Sequence, residues 1–366
     1  MNRTQEVARL RAGYQRELAL GTDRFHAPKR TTCPWCDSSR LRTRLRTTDL
    51  LQHKPGTFVV DQCRDCSHSF QNPRLTPEGL DFYYRDYYDG LGVAHADWLF
   101  GPWGSRKRYL ASARALLPFG APRRWLDVGT GHGHFPGAAR TVHPGTVFDG
   151  LDRSAGVDEA RRRGRIAEAY RGGLTELAPE LEGRYDVVSM FHYLEHSIDP
   201  RAELAAAKTL LAPGGRLIIE VPDPECAMSR VLGRWWIPYL QPQHLHLFPF
   251  ANLRRELESL DFTVVAVERH EPHTAVDLTC AAALALGHVL PPADEPWHAH
   301  PPTAPRRMAR EALFWSAFPL LAGVYGLDRL LAPLLSRTGF SNAYRIVVRA
   351  PHGRFSTPVG LPAPLG

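Results

Sequence analysis

The stretch WLDVGTGHGHF, residues 125–135, decides how this chain is read. A short apolar run reaches Asp127 and passes into a loop with glycines at 129, 131 and 133. Such a loop makes a tight β-α turn and lets backbone amides approach a ligand with no Cβ in the way. The spacing is GxGxG, because His134 stands where the third glycine of a GxGxxG dinucleotide loop would fall. No GK[ST] follows, so it is not a P-loop. A structural turn alone would satisfy the glycines. Asp152 adds to them: it ends the next strand-like run, where an acid can bind both ribose hydroxyls of a nucleoside.

Outward from this point, strands and helices alternate. VFDGLD, YDVVSMF, RLIIEVP and TVVAVE read as strands. DEARRRG, DPRAELAAAKTLL and FANLRRELESLDF read as helices, and Pro213-Gly214-Gly215 reads as a turn. The pattern predicts a mostly parallel sheet with helices on both faces. It breaks over residues 270–341. There, two uncharged runs, 278–292 and 312–327, flank the Pro-rich PPADEPWHAHPPTAP. AYRIVVRA, residues 343–350, reads as one more strand. The expected organisation is an N-terminal helix or tail (1–30), a cysteine-bearing module (31–74) and a helical linker or lid (75–120). An α/β core (121–350) with a hydrophobic helical insertion (270–342) and a C-terminal tail (351–366) complete it.

LDVGTGHGHF, GLDRS, YDVVSMFHYLEHSIDP, LLAPGGRLIIEVPDPE and HLHLFPFANLRRELESLDFTVV resemble, in order, class I S-adenosylmethionine (SAM)-dependent methyltransferases. The resemblance covers about residues 123–268. It implies a seven-stranded Rossmann-like sheet whose last strand, here AYRIVVRA, is antiparallel. It also implies SAM as cofactor, with Asp127, Gly129, Gly131 and Gly133 around its methionine and ribose and Asp152 on the ribose hydroxyls. Leu174 would lie near the adenine, and Met190 and Phe191 would line the methionine end. The [DN]PP[YF] of adenine and cytosine amino-methyltransferases is absent.

Two CxxC pairs, Cys33/Cys36 and Cys63/Cys66, supply four thiols, a set that suits structural, tetrahedral zinc. The 26 residues between the pairs exceed the usual spacing of about 15–20. The alternative is four buried or loosely paired thiols. Cys226 and Cys280 have no CxxC partner and read as small apolar residues. CPWC…CRDC…FQNPRLTPEGLDFYYRDYYD is similar to the zinc-ribbon lead-in of a bacterial methyltransferase group often linked to sugar or secondary-metabolite biosynthesis.

Methyl transfer to oxygen or an acidic carbon requires an oriented acceptor and a base. The candidates are His192, Glu195 and His196 in FHYLEH, and His244 and His246 in QHLHLF. Both groups fall at strand C-terminal ends, where such sheets bind ligands. If QHLHLF is extended, His244 and His246 point opposite ways. His196 could instead hold its loop, and Asp223 could orient a hydroxyl or shape its own turn. Tyr83, Tyr84, Tyr87 and Tyr88 could cover the cofactor or simply pack the linker helix.

The chain of 366 residues carries 45 basic and 38 acidic side chains, and 41 of the basic ones are Arg. Heavy Arg use with little Lys reads as a composition bias rather than a polyanion-binding face, which argues against nucleic acid as partner. The charged N-terminus has no apolar signal region, so the expected location is cytoplasmic. The run 312–327 is 16 residues long and contains Pro319, whereas a spanning helix needs about 20. It reads as a buried or interfacial helix, either a cap or dimer contact or, beside Arg306, Arg307 and Arg310, a peripheral contact with a membrane or lipid-linked substrate. The leading expectation is a SAM-dependent methyltransferase acting on a small molecule such as a sugar or biosynthetic intermediate. Its rivals are an RNA methyltransferase using the ribbon and Arg surface, and a non-catalytic SAM-binding scaffold. Oligomeric state is left open.

Overall fold

The computed structural model describes residues 3–85, 106–272, 274–337 and 339–352. The opening stretch folds as read: its apolar run is strand β4 (Arg124–Val128), whose Trp125 and Leu126 are fully buried. Nine more strands are needed to place it. In the N-terminal module lie β1 (Leu41–Thr47), β2 (Phe58–Cys63) and β3 (Ser69–Gln71). The core adds β5 (Val147–Asp152), β6 (Ala169–Arg171), β7 (Tyr185–Phe191), β8 (Leu211–Pro222), β10 (Thr263–Glu268) and β11 (Ala343–Arg349). One further short strand, β9 (His246–Leu247), lies between β8 and β10.

The core sheet has seven strands in the order β10-β11-β8-β7-β4-β5-β6. β6, β5, β4, β7 and β8 are parallel, and β11 runs antiparallel to both β8 and β10. This is the expected α/β architecture, with AYRIVVRA as the antiparallel last strand. Parallel strands covered on both faces must be mainly apolar, and Val187, Val188 and Met190 of β7 and Leu217, Ile218 and Ile219 of β8 supply that, with buried Ser189 and Glu220 hydrogen-bonded. The Pro213-Gly214-Gly215 turn is a correction. It lies inside β8, where the pairing register with β7 shifts between Tyr185 and Val187. Gly214 has φ +74°, and a Cβ on Gly215 would sit 2.8 Å from the Ala212 carbonyl oxygen, so the bulge needs both glycines.

β1, β2 and β3 form an antiparallel ribbon, and β9 is its fourth strand, with Ser69 opposite Leu247 and Phe70 opposite His246. A strand of two residues leaves no periodicity to read, so the sequence placed QHLHLF only as a lead-in to the helix Phe250–Ser259. The consequence is that the ribbon and core share one hydrophobic cluster. Cys33, Trp35, Cys63 and Phe70 pack with Phe248, Leu253 and Leu257.

The N-terminal segment is a helix, Arg3–Ala19, and not a loose tail. Its Tyr14 meets Phe82 and Trp297 edge to face at 5.6 and 5.7 Å, and Arg11 pairs with Asp294 at 2.5 Å. The Pro-rich segment is therefore fastened to the body. The helix Pro77–Tyr84 begins at Thr76, whose side chain accepts from Gly79 N at 3.1 Å. Residues 86–105 of the expected linker, including Tyr87 and Tyr88, and 353–366 of the expected tail lie outside the described residues.

The insertion is a pair of helices, Asp277–Val289 and Ala304–Leu335. Of the two readings left open for the apolar run, buried or interfacial, the second helix is not buried. Asp328 is its one buried residue, while Trp315, Leu320 and Leu330 are 62%, 70% and 75% exposed. Both ends are tied to the body. Arg310 donates to the Pro291 carbonyl at 2.6 Å, and the Asp328 carboxylate accepts from the first amides of the partner helix, Leu278 at 3.2 Å and Thr279 at 2.7 Å.

Candidate active site

The glycine loop leaves β4 at the C-terminal edge of the sheet. Gly129, Gly131 and Gly133 have φ of +74°, +50° and +69°, a conformation that excludes most other residues. Gly133 also has no room for a side chain, since a Cβ would come within 2.9 Å of the Ala160 Cβ. A Cβ on Gly131 would meet nothing within 4 Å, so the open side of the loop faces away from the protein's own atoms. Asp152 shapes this loop. Its Oδ2 accepts from Gly131 N at 2.8 Å and its Oδ1 from Ser154 N at 2.7 Å. Each oxygen keeps lone-pair capacity for a further donor.

Asp127 lies buried under the same loop and accepts from the Ser189 hydroxyl at 2.6 Å, and Trp125 Nε1 in turn donates to Ser189 at 2.9 Å. Burial pushes its carboxyl up to about 7 against the hydrogen bonds of Ser189 and Thr130, with the charge of Asp152 adding to the rise. The Trp125–Ser189–Asp127 chain crosses from β4 to β7, and no spacing in the sequence announces it. Tyr193 is the other residue the sequence reading missed. Its ring covers Gly129, and its hydroxyl donates to Glu203 at 2.9 Å.

Two expected cofactor residues are corrected. Leu174 and Met190 are fully buried in the main cluster with Leu126, Val128 and Leu151, so neither offers surface to a ligand. Side chains alternate along a strand. Phe191 therefore turns to the other face and packs on Phe135 at 4.5 Å, beside the glycine loop.

Beyond β7 the chain bends at His192, whose φ is +51°. A non-glycine residue in this region is uncommon and marks strain held by its surroundings. His192 Nδ1 lies 3.1 Å from Glu195 Oε1, while His192 Nε2 and Glu195 Oε2 have no partner. Burial alone would raise the Glu195 carboxyl. The hydrogen bond and charge of His192, with smaller contributions from His196 and His244, hold it near 2 instead. His196 and His244 meet edge to face at 4.5 Å. His196 Nδ1 lies 2.5 Å from the Tyr84 hydroxyl and 3.2 Å from the Gln243 carbonyl oxygen, and His244 Nδ1 lies 2.7 Å from that of Pro238. Burial keeps both rings neutral, driving His244 down to about 3.

His246 points the other way, as an extended QHLHLF requires. Its Nδ1 is 3.1 Å from Nε2 of His68, within the ribbon and its aromatic stack of Trp35 and Phe248. That packing removes His246 from the candidate bases. Tyr84 reaches the His196 group, whereas Tyr83 is core, with its hydroxyl on the Pro55 carbonyl at 2.5 Å. Asp223 shapes its own turn, accepting from Glu225 N at 3.0 Å and pairing with Arg269 at 3.3 Å.

The four ribbon thiols converge. Cys33 and Cys66 Sγ lie 3.6 Å apart, as do Cys36 and Cys63, and donor atoms of all four fall within 4.8 Å of one another. The two knuckles have the same backbone. Asp37 N bonds the Cys33 carbonyl and Ser67 N that of Cys63, each residue itself left-handed, with φ +57° at Asp37 and +61° at Ser67. Amides of Trp35 and Asp65 point at Cys33 and Cys63 Sγ, both at 3.4 Å, and stabilise thiolate. This donor set fits a tetrahedral soft metal ion. Cys226 and Cys280 stand apart with free thiols that burial raises.

Comparison with known proteins agrees with this geometry. The profile of a methyltransferase-domain family matches residues 103–267. The ubiquinone biosynthesis O-methyltransferase of Alkalilimnicola ehrlichii is 34% identical over 131 residues, which cover 34% of this chain and 52% of that protein. An uncharacterized 37.1 kDa protein in a transposon of Streptomyces fradiae is 36% identical over 121 residues, covering 30% of this chain and 35% of the relative. Among solved structures, a Haemonchus contortus phosphoethanolamine N-methyltransferase superposes with TM-score 0.47 at 16% identity, covering 84% of this chain and 71% of that one. Residues 103–267 thus match a methyltransferase domain, over less than half of the chain. The chain spans only about a third to a half of the length of these curated relatives.

Proposed function

We propose that this protein transfers a methyl group from SAM to a small-molecule acceptor. The observation that carries the reading is the pairing of the left-handed Gly129–Gly131–Gly133 loop with Asp152, whose carboxylate already holds the Gly131 amide. In this reading Asp152 receives the ribose hydroxyls, and Asp127 faces the methionine end with Phe191 beside it. The small-molecule class follows the relatives named as O-methyltransferases. Binding of S-adenosylhomocysteine, the product, tests the reading directly.

His192 is the base. Its Nε2 is the unpartnered ring nitrogen at the C-terminal end of β7, and Glu195 orients the ring through Nδ1. The four ribbon thiols hold zinc, which supplies folding energy and no open coordination position for chemistry.

The helix Ala304–Leu335 docks this enzyme on an anionic membrane surface, where the acceptor is drawn from the lipid phase. Among the described residues it is the one helix long and apolar enough to cross a membrane, by length and composition. Its uncharged run, however, covers only about 24 Å of a ~30 Å hydrocarbon core. Its two ends are hydrogen-bonded to the body, which suits a helix lying flat. Arg306, Arg307 and Arg310 precede the apolar run and match anionic headgroups. The full chain is expected to sediment with phosphatidylglycerol vesicles. Leu320→Glu with Leu330→Glu should reduce the bound fraction about tenfold, since each charge opposes insertion. A soluble dimer that ignores vesicles would show instead that a second copy covers this face.

A further inference from the structure

We infer that Glu195, His196 and His244 form a second metal site, for a divalent transition ion such as zinc, separate from the four thiols. Three ligand atoms, one from each residue, lie within 4.8 Å of one another. Two imidazoles and one carboxylate are a donor set that suits zinc or iron(II) rather than magnesium or calcium.

The surroundings are those of a built site. A ligating histidine normally donates its other ring N–H to a carbonyl or carboxylate, which fixes tautomer and ring orientation. Both histidines have that arrangement. Nδ1 of His196 lies on the Tyr84 hydroxyl, which itself donates to the Gln243 carbonyl, and on that carbonyl, while Nδ1 of His244 lies on the Pro238 carbonyl; with both Nδ1 atoms donating, each ring keeps its Nε2 as ligand. Glu195 is completely buried, its Oε1 engaged by His192 and its Oε2 without a partner. A buried carboxylate oxygen with no donor calls for a cation or water. The three ligands come from two segments that the sequence separates by almost fifty residues. One is the 3-10 turn Leu194–His196, just past β7, and the other is His244, two positions before β9 begins. An ion there would fasten the turn carrying the base to the ribbon-bound strand.

The test is zinc content and coordination in the full-length protein, loaded with Zn2+ and freed of excess by gel filtration. The expected result is two zinc ions per chain, falling to one in His244→Gln. X-ray absorption on the native protein should show sulfur and nitrogen/oxygen ligands in comparable numbers, and this readout does not depend on any variant folding. Zinc ligated by sulfur alone, or a count unchanged by His244→Gln in a folded variant, overturns the proposal. A single ion with only nitrogen and oxygen ligands supports it and overturns the ribbon assignment instead.

Discussion

Cys63→Ser is expected to cost the protein its ribbon and part of its active site together. Serine is a poor ligand for a soft ion, and burial raises the remaining Cys33 and Cys66 thiols, so the three that are left hold an ion less readily. Structural zinc sites contribute several kcal/mol of folding free energy, so the midpoint of thermal unfolding should fall by about 10 °C. The loss is not confined to residues 31–74. Cys63 ends β2, β2 pairs with β3 and β3 with β9, and the shared cluster joins Cys33, Trp35 and Phe70 to Phe248 and Leu253. His244 and His246 sit on and beside β9, so the frame of the His196–His244 pair goes with the metal. Calorimetric unfolding with matched zinc analysis checks this. A variant that lacks the ribbon ion but melts with the native protein would show that packing alone holds the module.

His192→Gln should lower kcat by about 10²–10⁴, the usual contribution of a positioned base, while leaving S-adenosylhomocysteine affinity within about twofold. Glutamine preserves the side chain's approximate length and polarity but cannot accept a proton at neutral pH. The split between turnover and cofactor affinity separates this role from a structural one, because a collapsed loop after β7 would damage both. Glu195→Gln tests the orienting carboxylate and should lose less than His192→Gln in turnover. Turnover unchanged in His192→Gln would mean that the acceptor gives up its proton without help, or gives it to another group.

The legible parts of this molecule are those where a local rule is strong. The GxGxG loop, Asp152 and the parallel strands were readable because glycine φ and strand burial each impose residue types over a short window. The CxxC knuckles were readable because the thiols and their spacing are rare. The parts that escaped depend on distant pairing. β9 is two residues long and exists because the ribbon edge needs a partner, so no periodicity marks it. Trp125, Ser189 and Asp127 form a chain only when β4 and β7 are neighbours. Leu174 and Met190 were misplaced because a resemblance gives position along the chain and not which face of the backbone a side chain takes. The run 312–327 was read correctly as helical and apolar, but its helix extends over Ala304–Leu335, twice the length read. Whether it lay inside or outside was a tertiary matter, and Asp328 settles it by pinning the helix at the surface.

The central claim is that the glycine loop and Asp152 bind SAM. Its most direct test is calorimetric titration of S-adenosylhomocysteine into the zinc-loaded protein, with Asp152→Ala alongside. The account predicts micromolar binding by the native chain and a loss of at least about tenfold in the variant, the scale of ~1.4 kcal/mol expected when a charged acceptor of ribose hydroxyls is removed. No binding by the folded, zinc-loaded native protein would contradict the account and leave Gly129, Gly131 and Gly133 as a structural turn.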